Sequence, residues 1–342
     1  MTNVTASRLG VVNKATPTDF ASENNLFLKV FAGEVLTAFD ETNVMKDLHT
    51  SRTIASGKSA SFPVTGKANA AYHTVGTPLL GTQKIAHNEV VINIDDVLIA
   101  DTFIANIDEA KNHFDIRAEY SRLLGMALAK EFDTRTMRVG LLGARSAATV
   151  SGGNGGTTLV SANAGTSGAA MAAAIFDAAK AMDEKDVPEN ERVAIVSPAQ
   201  YYNLVQETSV INRDWGGAGV YAEGTVLKVA GIEIVKSNNL PTANVAAVAG
   251  ENNTYSGDFS NTVALVMQKA AIGTVKLMDL AVERTSGDFE VMYKGTLMAA
   301  KYAVGHGVLR PECCVSLLHG RNRHSLITFR AGPILGLPIF FI

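Results

Sequence analysis

The chain has 342 residues, with 30 Lys and Arg against 33 Asp and Glu, and this formal net charge of -3 leaves no basic footprint for tight nucleic-acid binding. Only 18% of residues are charged while 47% are hydrophobic, a combination that predicts apolar surface covered by something besides the chain's own core. The 30 Gly and 9 Pro are near ordinary usage, which excludes collagen-like and Pro/Gly-rich disordered chains.

Residues 1–22 are polar and unpatterned and contain no apolar h-region of a secretory signal. Phe27, Leu28, Phe31, Val35 and Phe39 then recur at helical spacing, predicting a short amphipathic helix on an N-terminal arm. Between Thr53 and Asp96, small and polar residues separate short β-prone runs that end in the alternating Val90-Val91-Ile92-Asn93-Ile94, the pattern of a long hairpin. It holds too few large apolar residues to bury against itself, and isolated ribbons are marginal in water, so it is expected to rest on a neighbouring surface.

From Asp115 to Ala144, Ile116, Tyr120, Leu123, Leu124, Ala127, Leu128 and Phe132 form one stripe of a helix of about 30 residues, roughly 45 Å long at 1.5 Å per residue. Arg117, Arg122, Lys130, Arg135, Arg138 and Arg145 scatter around its axis and read as solvated charges. Residues 151–168 read as a glycine-rich linker. Beyond it, Met171, Ile175, Ala178, Ala179 and Met182 predict a helix, Val193 to Val196 a strand, and Ser197-Pro198-Ala199-Gln200 a capping box opening a further helix. Ile232 to Val235 and Val263 to Met267 complete an α+β unit. Phe289 to Val304 reads as extended, ending in a turn-like Gly305-His306-Gly307. The terminal Ile334 to Ile342 is apolar but far shorter than a membrane span and is broken by Pro338.

No motif supports chemistry. Ser56-Gly57-Lys58-Ser59 lacks the first glycine of a phosphate loop, since Arg52 stands there, and Gly305-His306-Gly307 lacks the sixth-position glycine of a dinucleotide fingerprint, which is Arg310. The stretch from Gly143 to Ser146 has Ala148 where a nucleophile elbow needs its second glycine. Cys313 and Cys314 are adjacent, which strains a bridge between them and denies them the spacing of zinc ligands with His319 and His324. They read as structural cysteines in a reducing compartment. Asp95-Asp96 and Asp108-Glu109 read as strand-end and turn polars. Catalytic residues, metal ligands and cofactors are all expected to be absent.

Five ordered blocks nevertheless carry a family pattern: NNLFLKVFAGEVLTAFDETNVM, ASGKSASFPVTGKANAAY, NIDEAKNHFDIRAEYSRLLGMALA, AAIGTVKLMDLAVER and AKYAVGHGVLRPE. Together, over about residues 24 to 312, the chain resembles the major capsid proteins of short-tailed, T-seven-like podovirus bacteriophages. The resemblance implies the Hong Kong 97-type α+β capsid fold. Its parts would be an N-terminal arm (1–48), an extended E-loop (49–96), a P-domain with a long spine helix (97–150) and a central A-domain (151–270). P-domain return strands (271–312) and an extension without counterpart (313–342) would follow.

The implied function is structural, not enzymatic: self-assembly as hexamers and pentamers into an icosahedral head enclosing double-stranded DNA. Implied partners are the chain itself, a scaffolding protein, a portal protein at one vertex and weakly contacted DNA, with no membrane. Assembly in the host bacterial cytoplasm and residence in the virion follow. Phe27, Phe31, Val35, Phe39, Lys58, Phe62 and Tyr72 are the expected inter-subunit contacts. Ile334, Leu337, Phe340 and Phe341 are expected to dock the extension. An encapsulin-like compartment shell and a two-domain α+β cytosolic enzyme are the alternatives.

Overall fold

The computed structural model describes residues 43–78, 81, 84–107, 116–207, 228–285 and 288–320. Two sheets share one long helix, α1 (Ile116–Ala144). The first sheet has the order β1 (Thr50–Thr53), β12 (Ile272–Arg284), β13 (Gly295–Val308), β4 (Leu98–Ala105), with β1 parallel to β12 and the other pairs antiparallel. The second has six strands in the order β5 (Thr157–Ser161), β14 (Cys314–His319), β11 (Thr262–Gln268), β6 (Arg192–Val196), β8 (Ile232–Lys236), β7 (Lys228–Val229). Between them in sequence come α2 (Gly168–Asp183), α3 (Pro198–Val205) and the small ribbon of β9 (Asn244–Val245) with β10 (Gly257–Asp258).

The six-stranded sheet is covered on both faces, which is why every residue of β6 and β11 is buried. On β14, Cys314 meets Gly143 of α1, whereas Leu317 lines a cleft with Ala170 and Ala174 of α2; the alternation of side chains along a strand sends these two to opposite faces. The apolar stripe of α2 (Met171, Ile175, Ala178, Ala179, Met182) is buried as its period predicts. Ser167 caps it, its side-chain oxygen accepting from Ala170 N at 3.5 Å.

α1 belongs to both cores. Its first half lies on the four-stranded sheet, Tyr120 and Leu124 against Ile104 and Met298, then Leu128 and Phe132 against Ala300, Tyr302 and Val304. Its second half, Met137, Val139, Leu141 and Ala144, enters the core of the six-stranded sheet. One continuous helix thereby holds the two sheets together.

Several expectations need correction. The glycine-rich linker contains β5, paired in parallel with β14 and held by Lys185, whose ammonium donates to Gly155 O at 2.6 Å and to Thr157 Oγ1. No capping box forms at Ser197; Gln200 instead donates to Gly165 O at 3.1 Å. Phe289 to Tyr293 is not extended but lies in α4 (Asp288–Tyr293), where the Phe289 and Tyr293 rings pack 4.5 Å apart and Phe289 meets Phe103 edge-on. Gly305-His306-Gly307 is not a turn but part of β13, paired with Val275, Thr274 and Gly273. Finally, residues 313–319 are no appendage, because β14 lies inside the six-stranded sheet between β5 and β11.

Candidate functional site

β2 (Ser59–Thr65) and β3 (His87–Asn93) form the antiparallel hairpin, in register from Ser59 with Asn93 to Thr65 with His87. Only Ala60 and Ile92 of these strands are buried, packed with Ile94, Val275 and Ala303 at the hairpin's base. Beyond the base the ribbon has no core, and residues 67–78 are exposed throughout. Tyr72, at 107% relative exposure, and Val75, at 95%, stand wholly in solvent. Lys58 is also exposed, while Phe62 is half-buried against the base, with the Arg52 guanidinium 5.7 Å from its ring centroid. Lys67 forms an ion pair with Asp186 at 2.9 Å, a surface contact that adds little.

The base is clamped by polar groups that sequence reasoning missed. Asp95 is 4% exposed, and its carboxylate accepts from Tyr255 Oη, from Asn252 N at 2.8 Å and from Asn253 Nδ2 at 3.0 Å. Asn252 Nδ2 also donates to Ile94 O and Asn253 Nδ2 to Asn93 O, both at 2.7 Å. Burial, with the Asp95 charge, pushes the Tyr255 phenol well above its ordinary value and keeps it a donor. Arg135 of α1 closes the far side, stacking over the Tyr255 ring and pairing with Glu131 at 2.9 Å and Glu251 at 3.7 Å.

β3 crosses β13 so closely that β13 can carry no side chain at Gly305 or Gly307. A Cβ on Gly305 would stand 1.8 Å from Asn93 O, and one on Gly307 2.7 Å from Ile92 Cγ1. Between these glycines, His306 is buried in a chain of three side chains. His49 Nδ1 lies 2.6 Å from Met45 O, so it carries the proton and Nε2 accepts from Thr274 Oγ1 at 2.7 Å. Thr274 Oγ1 must then accept from His306 Nδ1 at 2.8 Å, which leaves His306 Nε2 a bare acceptor with no hydrogen-bond partner among the described residues. Burial lowers the pKa of both rings.

Val91 on β3 and Ile85 just before it are exposed on the hairpin as well, and apart from the hairpin are Val291, Met292 and Tyr293 on α4 and Val97 and Ile99 at the edge strand β4. Phe27, Phe31, Val35 and Phe39, like Ile334, Leu337, Phe340 and Phe341, lie outside the described residues. No metal-holding cluster of His, Cys, Asp or Glu occurs among the described residues. Cys313 and Cys314 are buried and unpaired; burial pushes the Cys313 thiol up to about 11 and Cys314 further still, the behaviour of packing residues rather than nucleophiles.

Residues 61–318 match the family model described as Gp10A-like, major capsid protein. The chain is 34% identical to the major capsid protein of Enterobacteria phage T3, over 93% of this chain and 98% of that protein. It is 36% identical to the major capsid protein of Escherichia phage T7, over 84% and 90% respectively. Among solved structures, the capsid of cyanophage P-SCSP1u is similar at a TM-score of 0.80 and 48% identity, covering 93% of this chain and 99% of that one. The mature capsid of bacteriophage PhiM1, at 19% identity and a TM-score of 0.72 over 91% of this chain and 97% of that one, shares the fold.

Proposed function

The chain belongs to the Gp10A-like family of phage major capsid proteins, and from that premise we propose how its parts divide the work of assembly. It is a structural protein of the virion shell and not an enzyme. The hairpin of β2 and β3 acts as the E-loop, the four-stranded sheet with the first half of α1 as the P-domain, and the six-stranded sheet as the A-domain. The subunits associate as hexamers and pentamers of an icosahedral head. Lys58, Phe62 and Tyr72 meet a neighbouring subunit, together with the stripe of Phe27, Phe31 and Val35.

The observation that carries this reading is the clamped base and bare tip of the hairpin. A ribbon with no core of its own is marginal in water, yet here its root is fixed by Asp95, Asn252, Asn253 and Tyr255 while Tyr72 and Val75 point into solvent. Such a ribbon is pre-aimed at a surface it does not itself supply. A near-neutral subunit also suits a wall that encloses double-stranded DNA without gripping it. A scaffolding protein during assembly, a portal protein at one vertex and assembly in the bacterial cytoplasm complete the reading.

Electron microscopy of the expressed protein tests it. The wild type is expected to form closed shells and capsomers; Tyr72→Asp and Phe31→Asp are expected to give soluble, folded subunits that do not close. Normal shells from both variants would refute the assigned contacts.

A further inference from the structure

A cleft of about 350 Å³ opens between α1 and the ribbon of β12 and β13. Its wall is apolar, made by Leu128, Ala129, Phe132, Met278, Tyr302 and Val304. Asn43, the first described residue, sits on its rim, so the residues before it are tethered at this cleft. Four residues upstream is Phe39, the last member of the apolar stripe. Four Cα steps span at most about 14 Å, so Phe39 is confined to the neighbourhood of the cleft.

The intervening Asp40-Glu41-Thr42 carries two acids, and the cleft's rim carries Lys46 and Lys276. Asp279 is on the same rim, but it lies 4.0 Å from Lys276 with its side chain 77% exposed. The root of the arm is itself fixed: Asp133 of α1, wholly buried, accepts from Val44 N at 2.7 Å and Met45 N at 3.1 Å. The tether therefore starts from a rigid point, with an aromatic residue within reach of an apolar cleft.

We infer that Phe39 of each subunit docks in the cleft of its own chain, between α1 and β12–β13, with Asp40 and Glu41 facing Lys46 and Lys276. Phe39 is thereby withdrawn from the stripe offered to neighbours, and Phe27, Phe31 and Val35 remain for them. The docked phenylalanine sets the direction in which the arm leaves the subunit, and it does so before any neighbour arrives. Docking of Phe39 needs only the tether and the cleft and is independent of shell closure.

Paired cysteines test it in the full chain, both as free subunit and in shells. Phe39→Cys with Ala129→Cys, and independently Phe39→Cys with Met278→Cys, are oxidised mildly; the native thiols are buried and do not compete. Disulfides within one chain are expected, about tenfold more abundant than for Phe27→Cys with Ala129→Cys, because the short tether keeps Phe39 at high effective concentration. Cross-linked dimers instead would assign the cleft to a neighbour's arm and overturn the inference. No cross-link from either pair would overturn it too. A variant without cysteines gives a separate reading: Phe39→Ala is expected to lower the melting temperature of the free subunit, whereas Phe27→Ala leaves it unchanged. Equal melting of the two would likewise refute the docking, and microscopy of the same samples scores assembly on its own.

Discussion

The Tyr255 hydroxyl donates to the Asp95 carboxylate across 160 residues of sequence while itself accepting from His306 N at 3.0 Å. One phenol thus joins the end of the hairpin, the loop after β9 and the strand β13. Tyr255→Phe keeps the ring under Arg135 but leaves a buried carboxylate short of one donor and a buried N–H without its acceptor. We expect a loss of about 1 to 3 kcal/mol, read as a lower melting temperature of the free subunit. An unchanged melt would show that the bond adds nothing.

Two glycines give opposite forecasts. Gly305→Ala drives a Cβ into the Asn93 carbonyl, a backbone atom held by the ladder of β2 and β3, so the crossing of β3 over β13 cannot survive. Insoluble or hairpin-detached protein is expected, visible as lost amide protection at Ile92 and Ile94. Gly125→Ala on α1 meets nothing within 4 Å and removes a helix-interior glycine, so it is expected to raise stability by about 0.5 to 1 kcal/mol. Calorimetry of Gly125→Ala finding destabilisation would overturn the second forecast.

The chain from His49 through Thr274 to His306 makes the fold acid-sensitive. Burial, the largest cause in each case, lowers both folded-state pKa values below the ordinary 6.5. Below that value the unfolded chain binds more protons than the native one, so these rings contribute stability that is present above about pH 6.5 and lost as pH falls below it. Each ring adds at most about 1.4 kcal/mol per pH unit to the slope. His49→Gln and His306→Gln are expected to flatten the fall in denaturation midpoint between about pH 6.5 and 5. A slope equal to wild type in both variants would exclude the rings as its source.

The sequence yields α1, α2, β6, β8 and β11 because each carries its own period or an uninterrupted apolar run. It misleads where a distant partner decides. β5 is a short threonine-rich stretch among glycines that becomes a strand only because β14 pairs with it. Gly305 and Gly307 resemble turn residues by composition, whereas their missing side chains make room for β3. Gln200 has the right spacing for a capping box, but its side-chain oxygen accepts from Asn203 Nδ2 and its amide nitrogen donates to Gly165 O. Asp95 reads as a solvated strand end, and only the return of Asn252 to Tyr255, some 160 residues later, turns it into a buried acceptor.

For the hairpin, the contrast between base and tip predicts two exchange regimes. Ile92 and Ile94 are held by packing and by the clasp of Asn252 and Asn253, so their amides are expected to be protected in the free subunit. Exposed residues 67–78, Tyr72 among them, are expected to exchange within seconds in the free subunit and to slow markedly in shells. Equal protection of the tip in both states would mean that no neighbour covers it.

The end of the chain gives the last forecast, and β14 sets its terms. Truncation after Glu312 removes Cys314, Val315 and Leu317, all buried inside the six-stranded sheet, and leaves β5 unpaired and β11 with β6 alone. Losing side chains of this kind costs about 2 to 5 kcal/mol apiece, so that product is expected to be insoluble. Truncation after Gly320 spares the sheet. It removes Arg321, Arg323 and Arg330 together with Ile334, Leu337, Phe340 and Phe341, a basic stretch with an apolar end that is costly to leave in water. Shells built from the 320-residue chain are therefore expected to form but to melt at a lower temperature than those of the full chain. A soluble, assembling chain ending at Glu312 would refute the central role of β14, and identical melting of shells with and without residues 321–342 would refute docking of the apolar end.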